Sequence, residues 1–286
     1  MIELTPLYDL VARLPFDCLQ ARFMQQAFLG LLLLAPMAAV MGILVVNFRM
    51  SFFADAISHS AFAGVALGLL FAVDPTWTMP AFGLLVGLGI MVLQRGSDLS
   101  SDTVIGVFFS AMVAFGLASV SRDRSLARDL QRFLYGDILT ISDGQILCLV
   151  GLFVVLMGFQ VYGYNHLLYI GLNPSLAKAH RIRVAVYQYL FAGLLALIVM
   201  FAVQAVGVLL VTAMLIVPAA AARNLAHSAG AMFWWALVIS LSSSLSGLIV
   251  SAQDWARTAT GATIILVACG WFGCSLLPAL LRRGRK

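Results

Sequence analysis

The chain has 286 residues, 62% of them hydrophobic and only 10% charged, with a mean hydropathy of +1.02. Soluble domains carry about 25% charged residues, so a water-exposed globular fold is excluded. Repeated apolar runs of about 20 residues place the chain among all-α, polytopic membrane proteins, and the net charge of +5 sits in short loops and at the C-terminus, where it sets membrane orientation rather than binding nucleic acid.

Residues 1–22 are mixed. Leu4, Leu7, Leu10, Val11 and Leu14 fall at roughly helical spacing, with Arg13 and Arg22 between them. This predicts a short amphipathic segment lying on the membrane and stopping near Pro15. The first apolar run begins only after these residues, so no cleavable signal is expected. A transmembrane domain over 23–281 and a basic tail, 282–286, complete the expected organisation.

The first span is expected over 23–46, kinked at Pro36, followed by a tight polar turn at 47–51. The second, 52–73, contains Asp55 and His59 and ends at Asp74-Pro75; its Gly64 and Gly68 predict close helix packing. The third covers 76–93, a loop 94–102, and the fourth 103–120. A charged stretch follows (Arg122, Asp123, Arg124, Arg128, Asp129, Arg132), then 133–139, too short to cross and expected to form a re-entrant or interfacial turn. The fifth span is expected at 145–164. Residues 165–183 read as a basic loop holding a short helix started by Pro174. The sixth runs over 184–203. The seventh, 207–222, is short and expected to be interrupted by Pro218; the eighth and ninth cover 232–251 and 261–281.

Nine crossings put the two ends on opposite sides, with eight or ten also compatible. The basic tail places the C-terminus in the cytoplasm, together with 165–183 and 223–229. The arginines at 122–132 then fall outside, against that rule, accompanied by Asp123 and Asp129.

Chemistry is concentrated in one place. The chain has no G-x-x-x-x-G-K-[ST], and its only lysines are Lys178 and Lys286, so it has no P-loop of its own. It also lacks G-x-S-x-G and H-E-x-x-H, which removes the common hydrolase readings. Cys18, Cys148, Cys269 and Cys274 form no C-x-x-C, and neither a disulfide nor a thiolate metal site is expected. Asp55 and His59, four residues apart, lie on one face of a helix. An ionisable pair within a span is costly in lipid and marks a functional site. Three readings stand side by side: two ligands of a metal site completed by a second copy of the chain, an Asp–His contact that locks the helix, or a proton relay. His166, His180 and His227 are expected to be solvated loop residues.

Asp55-Ala-Ile-Ser-His59-Ser-Ala-Phe-Ala-Gly64-Val-Ala-Leu-Gly68 resembles the signature segment of the ABC-3 family, the membrane subunits of bacterial importers for zinc, manganese and iron. Matching segments follow in the same order: Asp102-Thr-Val-Ile-Gly106, Phe133-Leu-Tyr-Gly136-Asp137-Ile-Leu139, Asn173-Pro174-Ser175-Leu176-Ala177, the stretch from Gly207 through Pro218 to Arg223, and Gly261-Ala-Thr-Ile264. The resemblance covers about residues 20–280.

It implies a type II ABC importer-like permease of the bacterial cytoplasmic (inner) membrane. Such a subunit is not itself an enzyme and holds no permanent cofactor. Its implied partners are a second permease copy, a cytoplasmic ATPase subunit, an extracytoplasmic metal-binding solute-binding protein and membrane lipid, without nucleic acid. Asp55 and His59 would contact Zn2+, or else Mn2+ or Fe2+, in transit. Asn173, Pro174, Ser175, Leu176 and Ala177 would dock on the ATPase. Gly207 and Pro218 would line or gate the path, with Pro218 breaking its helix. Two departures are Ala54, where the family usually has Gly, and His180, where Gly is common. The alternative function is a proton-coupled secondary transporter using Asp55–His59 as relay; a non-transporting scaffold is a third reading.

Overall fold

Apolar runs with few charges fold into helices because a bilayer leaves no water to satisfy free backbone groups. A computed structural model describes residues 5–121 and 138–283, and these are helical throughout apart from short connections. The helices are α1 (Thr5–Ala12), α2 (Arg22–Asn47), α3 (Ser51–Leu70), α4 (Pro75–Gly96), α5 (Ser101–Val120), α6 (Asp143–Leu172), α7 (Pro174–Ala179), α8 (Val184–Val206), α9 (Val208–Leu225), α10 (Ala229–Ser251) and α11 (Thr260–Arg283). Among the described residues nine are long and apolar enough to cross a membrane, all but α1 and α7. The expected nine spans are therefore present. The charged stretch from Arg122 to Arg132 and the turn expected from Phe133, with Gly136 and Asp137, lie outside the described residues.

Two expectations are corrected. The fifth span does not end near residue 164: α6 continues to Leu172, 30 residues in all. At 1.5 Å per residue it is about 45 Å long, more than the roughly 30 Å hydrocarbon layer. Leu167 and Ile170 are buried on that extension, and their packing keeps a polar-looking sequence helical. Pro218 does not interrupt the seventh span either, since α9 runs unbroken from Val208 to Leu225 with Pro218 buried inside it. Proline removes one intrahelical donor, and neighbouring helices let a membrane helix tolerate that loss.

The chain divides into two compact units. One comprises residues 1–43, 137–153 and 205–286; the other comprises 44–136 and 154–204. In the first, α9, α10 and α11 pack together with α2 as far as residue 43. A side chain at Gly42 would collide with the Leu215 carbonyl, and one at Gly247 would come within 2.7 Å of the Ile264 Cα. Backbones meet directly at both places, as small residues permit in membranes. The Ser240 hydroxyl donates to the Ala35 carbonyl at 2.8 Å, tying α10 to α2.

Helix α1 is anchored by one residue that leucine spacing did not reveal. Tyr8 and Val11 are buried, while Leu7 and Leu10 are exposed. The Tyr8 hydroxyl donates to Asp143 Oδ1 at 2.6 Å, and Gln26 Nε2 donates to the same oxygen at 2.7 Å. Arg22 lies 3.7 Å from the centre of the Tyr8 ring and 3.8 Å from the Asp143 carboxylate. The cation thus touches both partners.

In the second unit α3 packs against α4 and α5. A Cβ on Gly64 would stand 2.9 Å from the Met79 Cα, and one on Gly68 would stand 2.5 Å from Thr78 Oγ1. The Thr78 hydroxyl donates to the Gly64 carbonyl at 2.9 Å. The expected close packing at Gly64 and Gly68 is present, with α4 as the partner helix. Asp74 caps α4, its carboxylate accepting from the Thr76 N–H at 2.9 Å, with Pro75 at the first helical position.

Burial, helped by the Asp143 carboxylate, pushes the Tyr8 phenol up to about 12. A pKa raised above the ordinary value of about 10 means that Tyr8 stabilises the fold fully below pH 10. That stabilisation is lost as pH rises through about 12. Tyr8→Phe should lower the melting temperature of the detergent-solubilised protein by about 2–4 °C at neutral pH, for roughly 1 kcal/mol. It should also remove one late-titrating phenol from the alkaline ultraviolet titration. Neither change would occur if α1 were held otherwise.

Candidate functional site

Helix α3 is buried on nearly every side. Phe53, Ala54, Ala56, Ile57, Ser58, Ser60, Ala61, Ala63, Gly64, Val65, Ala66 and Gly68 are all enclosed. The residues left partly accessible along its middle are Asp55, His59 and Phe62, one line at i, i+4 and i+7. The two serines of the signature segment are spent on the helix itself. Ser58 donates to the Ala54 carbonyl at 2.8 Å and Ser60 to the Ile57 carbonyl at 2.7 Å. Neither offers its hydroxyl to a ligand.

His59 Nε2 and Asp55 Oδ1 stand 3.8 Å apart, with their side chains 26% and 34% exposed. At that separation they share no hydrogen bond, so the helix-locking reading loses its bond. Two ligand atoms bound to one ion at about 2.0–2.2 Å stand about 2.8–3.8 Å apart for angles between about 90° and 120°, and about 3.3–3.6 Å apart in a tetrahedral site. At 3.8 Å the pair stands at the wide end of that range, within a small side-chain rotation of a shared cation. Aromatic rings wall the imidazole. Phe109 of α5 meets it edge-on, ring centres 5.0 Å apart, and Phe62 lies at 5.6 Å. Among the described residues no third His, Cys, Asp or Glu joins them.

Asp55 and His59 lie four and eight residues into α3, about 6 and 12 Å from its start. That start follows the turn at Phe48 and Arg49. Phe48 packs against a cluster of Ile170, Ala177 and Val184, joined by Ile182 and Tyr187, and meets the Phe191 ring edge-on at 5.1 Å. The pair thus lies nearer to the end of this unit that carries α7.

Helix α7 forms as its sequence dictates. The Asn173 carboxamide accepts from the Ser175 and Leu176 N–H groups at 2.9 and 3.2 Å, with Pro174 next. Ala177 is buried in the cluster, while Leu176 is 48% exposed. The residue at the glycine-like turn is not His180, whose φ is −80°. Arg181 takes the left-handed conformation, φ 59°. The left-handed residue of this turn is therefore the one after His180.

Gly207 separates α8 from α9 with φ 84° and ψ 162°, a region open essentially to glycine alone. On α9 the accessible line runs through Leu209, Thr212, Ile216 and Ala220, and Pro218 faces away from it, buried. His180 and His227 are exposed as expected. His166 is not a solvated loop residue: it lies within α6, stacked on Tyr187 with ring centres 4.9 Å apart, and its Nδ1 is buried without a hydrogen-bond partner. Sequence reasoning also missed Phe109, because an aromatic residue in an apolar span carries no signal of which neighbour it meets.

Fold and site together define a multi-pass helical membrane protein with one carboxylate–imidazole pair set into the open line of a buried helix. A model of the ABC 3 transport family matches residues 20–278, and the chain belongs to that family. It is 31% identical to the high-affinity zinc uptake system membrane protein ZnuB of Haemophilus influenzae, over 86% of this chain and 93% of the relative. It is also 31% identical to the manganese import system permease protein ScaB of Streptococcus parasanguinis, over 93% of this chain and 94% of the relative. Among solved structures, PsaBC from Streptococcus pneumoniae in complex with Fab matches with a TM-score of 0.76 at 30% identity, covering 96% of this chain and 95% of that one. An inward-facing putative metal-chelate type ABC transporter matches with a TM-score of 0.74 at 17% identity, a likeness of fold alone.

Gly207→Ala should destabilise the protein by about 1–2 kcal/mol, because a Cβ is strained at that backbone conformation. Gly270→Ala, where an added Cβ meets nothing within 4 Å, serves as the neutral comparison. Melting curves in detergent check both; equal curves would show that the break between α8 and α9 does not need glycine.

Proposed function

We propose that the chain is the membrane permease subunit of an ATP-driven importer of a divalent transition metal ion, with zinc ahead of manganese and iron. The observation that carries this reading is the Asp55–His59 pair, a carboxylate and an imidazole 3.8 Å apart on the accessible line along the middle of α3. The family and the zinc and manganese transport named for its relatives support the same reading.

The chemistry follows from an incomplete site. Zinc prefers four ligands, and one chain offers an oxygen and a nitrogen. A second copy facing the first would supply the same pair again. Phe62 and Phe109 restrict water at the imidazole, which strengthens the attraction of the Asp55 carboxylate for a cation. Two protein ligands per chain hold an ion loosely, as transport requires both capture and release. An extracytoplasmic solute-binding protein would deliver the ion, and a separate cytoplasmic ATPase would supply the energy. Asn173, Pro174, Ser175, Leu176 and Ala177 would dock on that ATPase, with Leu176 turned outward. Gly207 would give the α8–α9 junction its freedom along the path, and Pro218 would shape α9 from its buried side.

Asp55→Ala and His59→Ala should each reduce ATP-dependent zinc uptake into proteoliposomes by more than about tenfold. Co-purification with the ATPase should be unchanged. Ser58→Ala and Ser60→Ala should transport normally. Wild-type uptake by both Asp55 and His59 variants would overturn the assignment. Uptake that survives ATP depletion but collapses with the proton gradient would instead establish a proton-driven carrier.

A further inference from the structure

A cavity of about 500 Å3 lies in the unit formed by residues 44–136 and 154–204, and neither Asp55 nor His59 lines it. Its walls come from the second half of α6, the turn after α7 and the first two turns of α8. At one end are Arg181 and Arg183; along the wall are Phe159, Tyr162 and Leu190, with His166 also lining it.

Among the described residues no acidic side chain lines this cavity. No Asp or Glu occurs anywhere between Gly144 and Gln253. Among the described residues the ion pairs are Arg22–Asp143, His59–Asp55 and Arg257–Asp254, so neither lining arginine has one. Two guanidinium groups at a concave, acid-free surface form a site for an anion, and their planar forks match phosphate oxygens.

Arg181 is held there at a conformational cost. Its left-handed backbone would be free for glycine, and it is fixed by N–H bonds from Arg181 to the Lys178 carbonyl and from Ile182 to the Ala177 carbonyl, at 3.0 and 3.1 Å. The rest of the wall is apolar and open to the side. Tyr162 is 84% exposed and Leu190 52%. The arginines immediately precede the span beginning at Val184, which sets them at the membrane surface and the apolar wall within the hydrocarbon. A ligand that fills both parts must carry an anionic head and an apolar tail.

We propose that this cavity binds an anionic phospholipid, with Arg181 and Arg183 on the headgroup phosphate and an acyl chain along Phe159, Tyr162 and Leu190. An occupied site braces the segment directly after α7.

The test uses the purified chain, delipidated in detergent, titrated with phosphatidylglycerol or phosphatidylcholine and followed by native mass spectrometry and melting temperature. Phosphatidylglycerol should bind saturably and raise the melting temperature, while phosphatidylcholine should not. Arg181→Gly together with Arg183→Gln should weaken phosphatidylglycerol binding by about 20- to 30-fold. Arg181→Gly alone should weaken it as well, although it relieves the backbone. Leu190→Trp, which fills the tail path and keeps both arginines, should also weaken it. Arg257→Gln, whose arginine pairs with Asp254, should bind as wild type. Equal response to the two lipids, or undiminished binding by the double variant, would overturn the proposal. So would inorganic phosphate stabilising as well as the lipid, which would make the site one for a free anion. Loss of ATPase co-purification in the double variant with lipid binding intact would assign the arginines to a protein partner instead.

Discussion

The direct contact of the α3 backbone with α4 at Gly64 is the constraint on which the site depends. With no side chain at Gly64, the Met79 backbone comes close enough that a Cβ would stand 2.9 Å from its Cα. The Thr78 hydroxyl then bonds the Gly64 carbonyl across the crossing. This approach, together with the packing of α5, encloses the middle of α3 except along the line of Asp55, His59 and Phe62. Polar groups on the enclosed faces are satisfied within the helix, as Ser58 and Ser60 are. Only the carboxylate and the imidazole are left to meet a ligand.

Much of this was legible in the sequence because the physics is local. Apolar length gave the nine spans, Asn173-Pro174 gave the cap and start of α7, and the four-residue spacing put Asp55 and His59 on one face. Gly64 and Gly68 announced a close crossing. The features that were not legible depend on contacts between distant residues. The extension of α6 past residue 164 rests on the burial of Leu167 and Ile170, which polar neighbours disguise. Tyr8 became an anchor only because Asp143, 135 residues away, accepts its proton donor. Pro218 looked like a break because a proline's local preference ignores the packing that carries a helix through it. Arg181 shows the same limit at one backbone angle: composition cannot say which residue of a turn will be left-handed.

The site is informative in what it lacks as much as in what it holds. A locking contact would close the Asp–His separation to hydrogen-bond length, whereas at 3.8 Å the two groups share no hydrogen bond and both remain open to a bridging ligand. Among the described residues no third His, Cys, Asp or Glu joins the pair. The proposed transit role asks only for a weak pair that a second copy can complete. Its position in the α7-bearing end of its unit also brings the residues proposed to hold the ion and the segment proposed to meet the ATPase into one packed body, through Phe48, Ile170 and Ala177.

The most direct measurement is zinc-edge X-ray absorption on the complete transporter, loaded with zinc and arrested during turnover, compared between wild type and His59→Ala. The account predicts a nitrogen and oxygen shell at about 2.0–2.2 Å with imidazole scattering, and loss of that scattering in the variant. A sulfur shell at about 2.3 Å, or a zinc environment that is the same in both proteins, would contradict it.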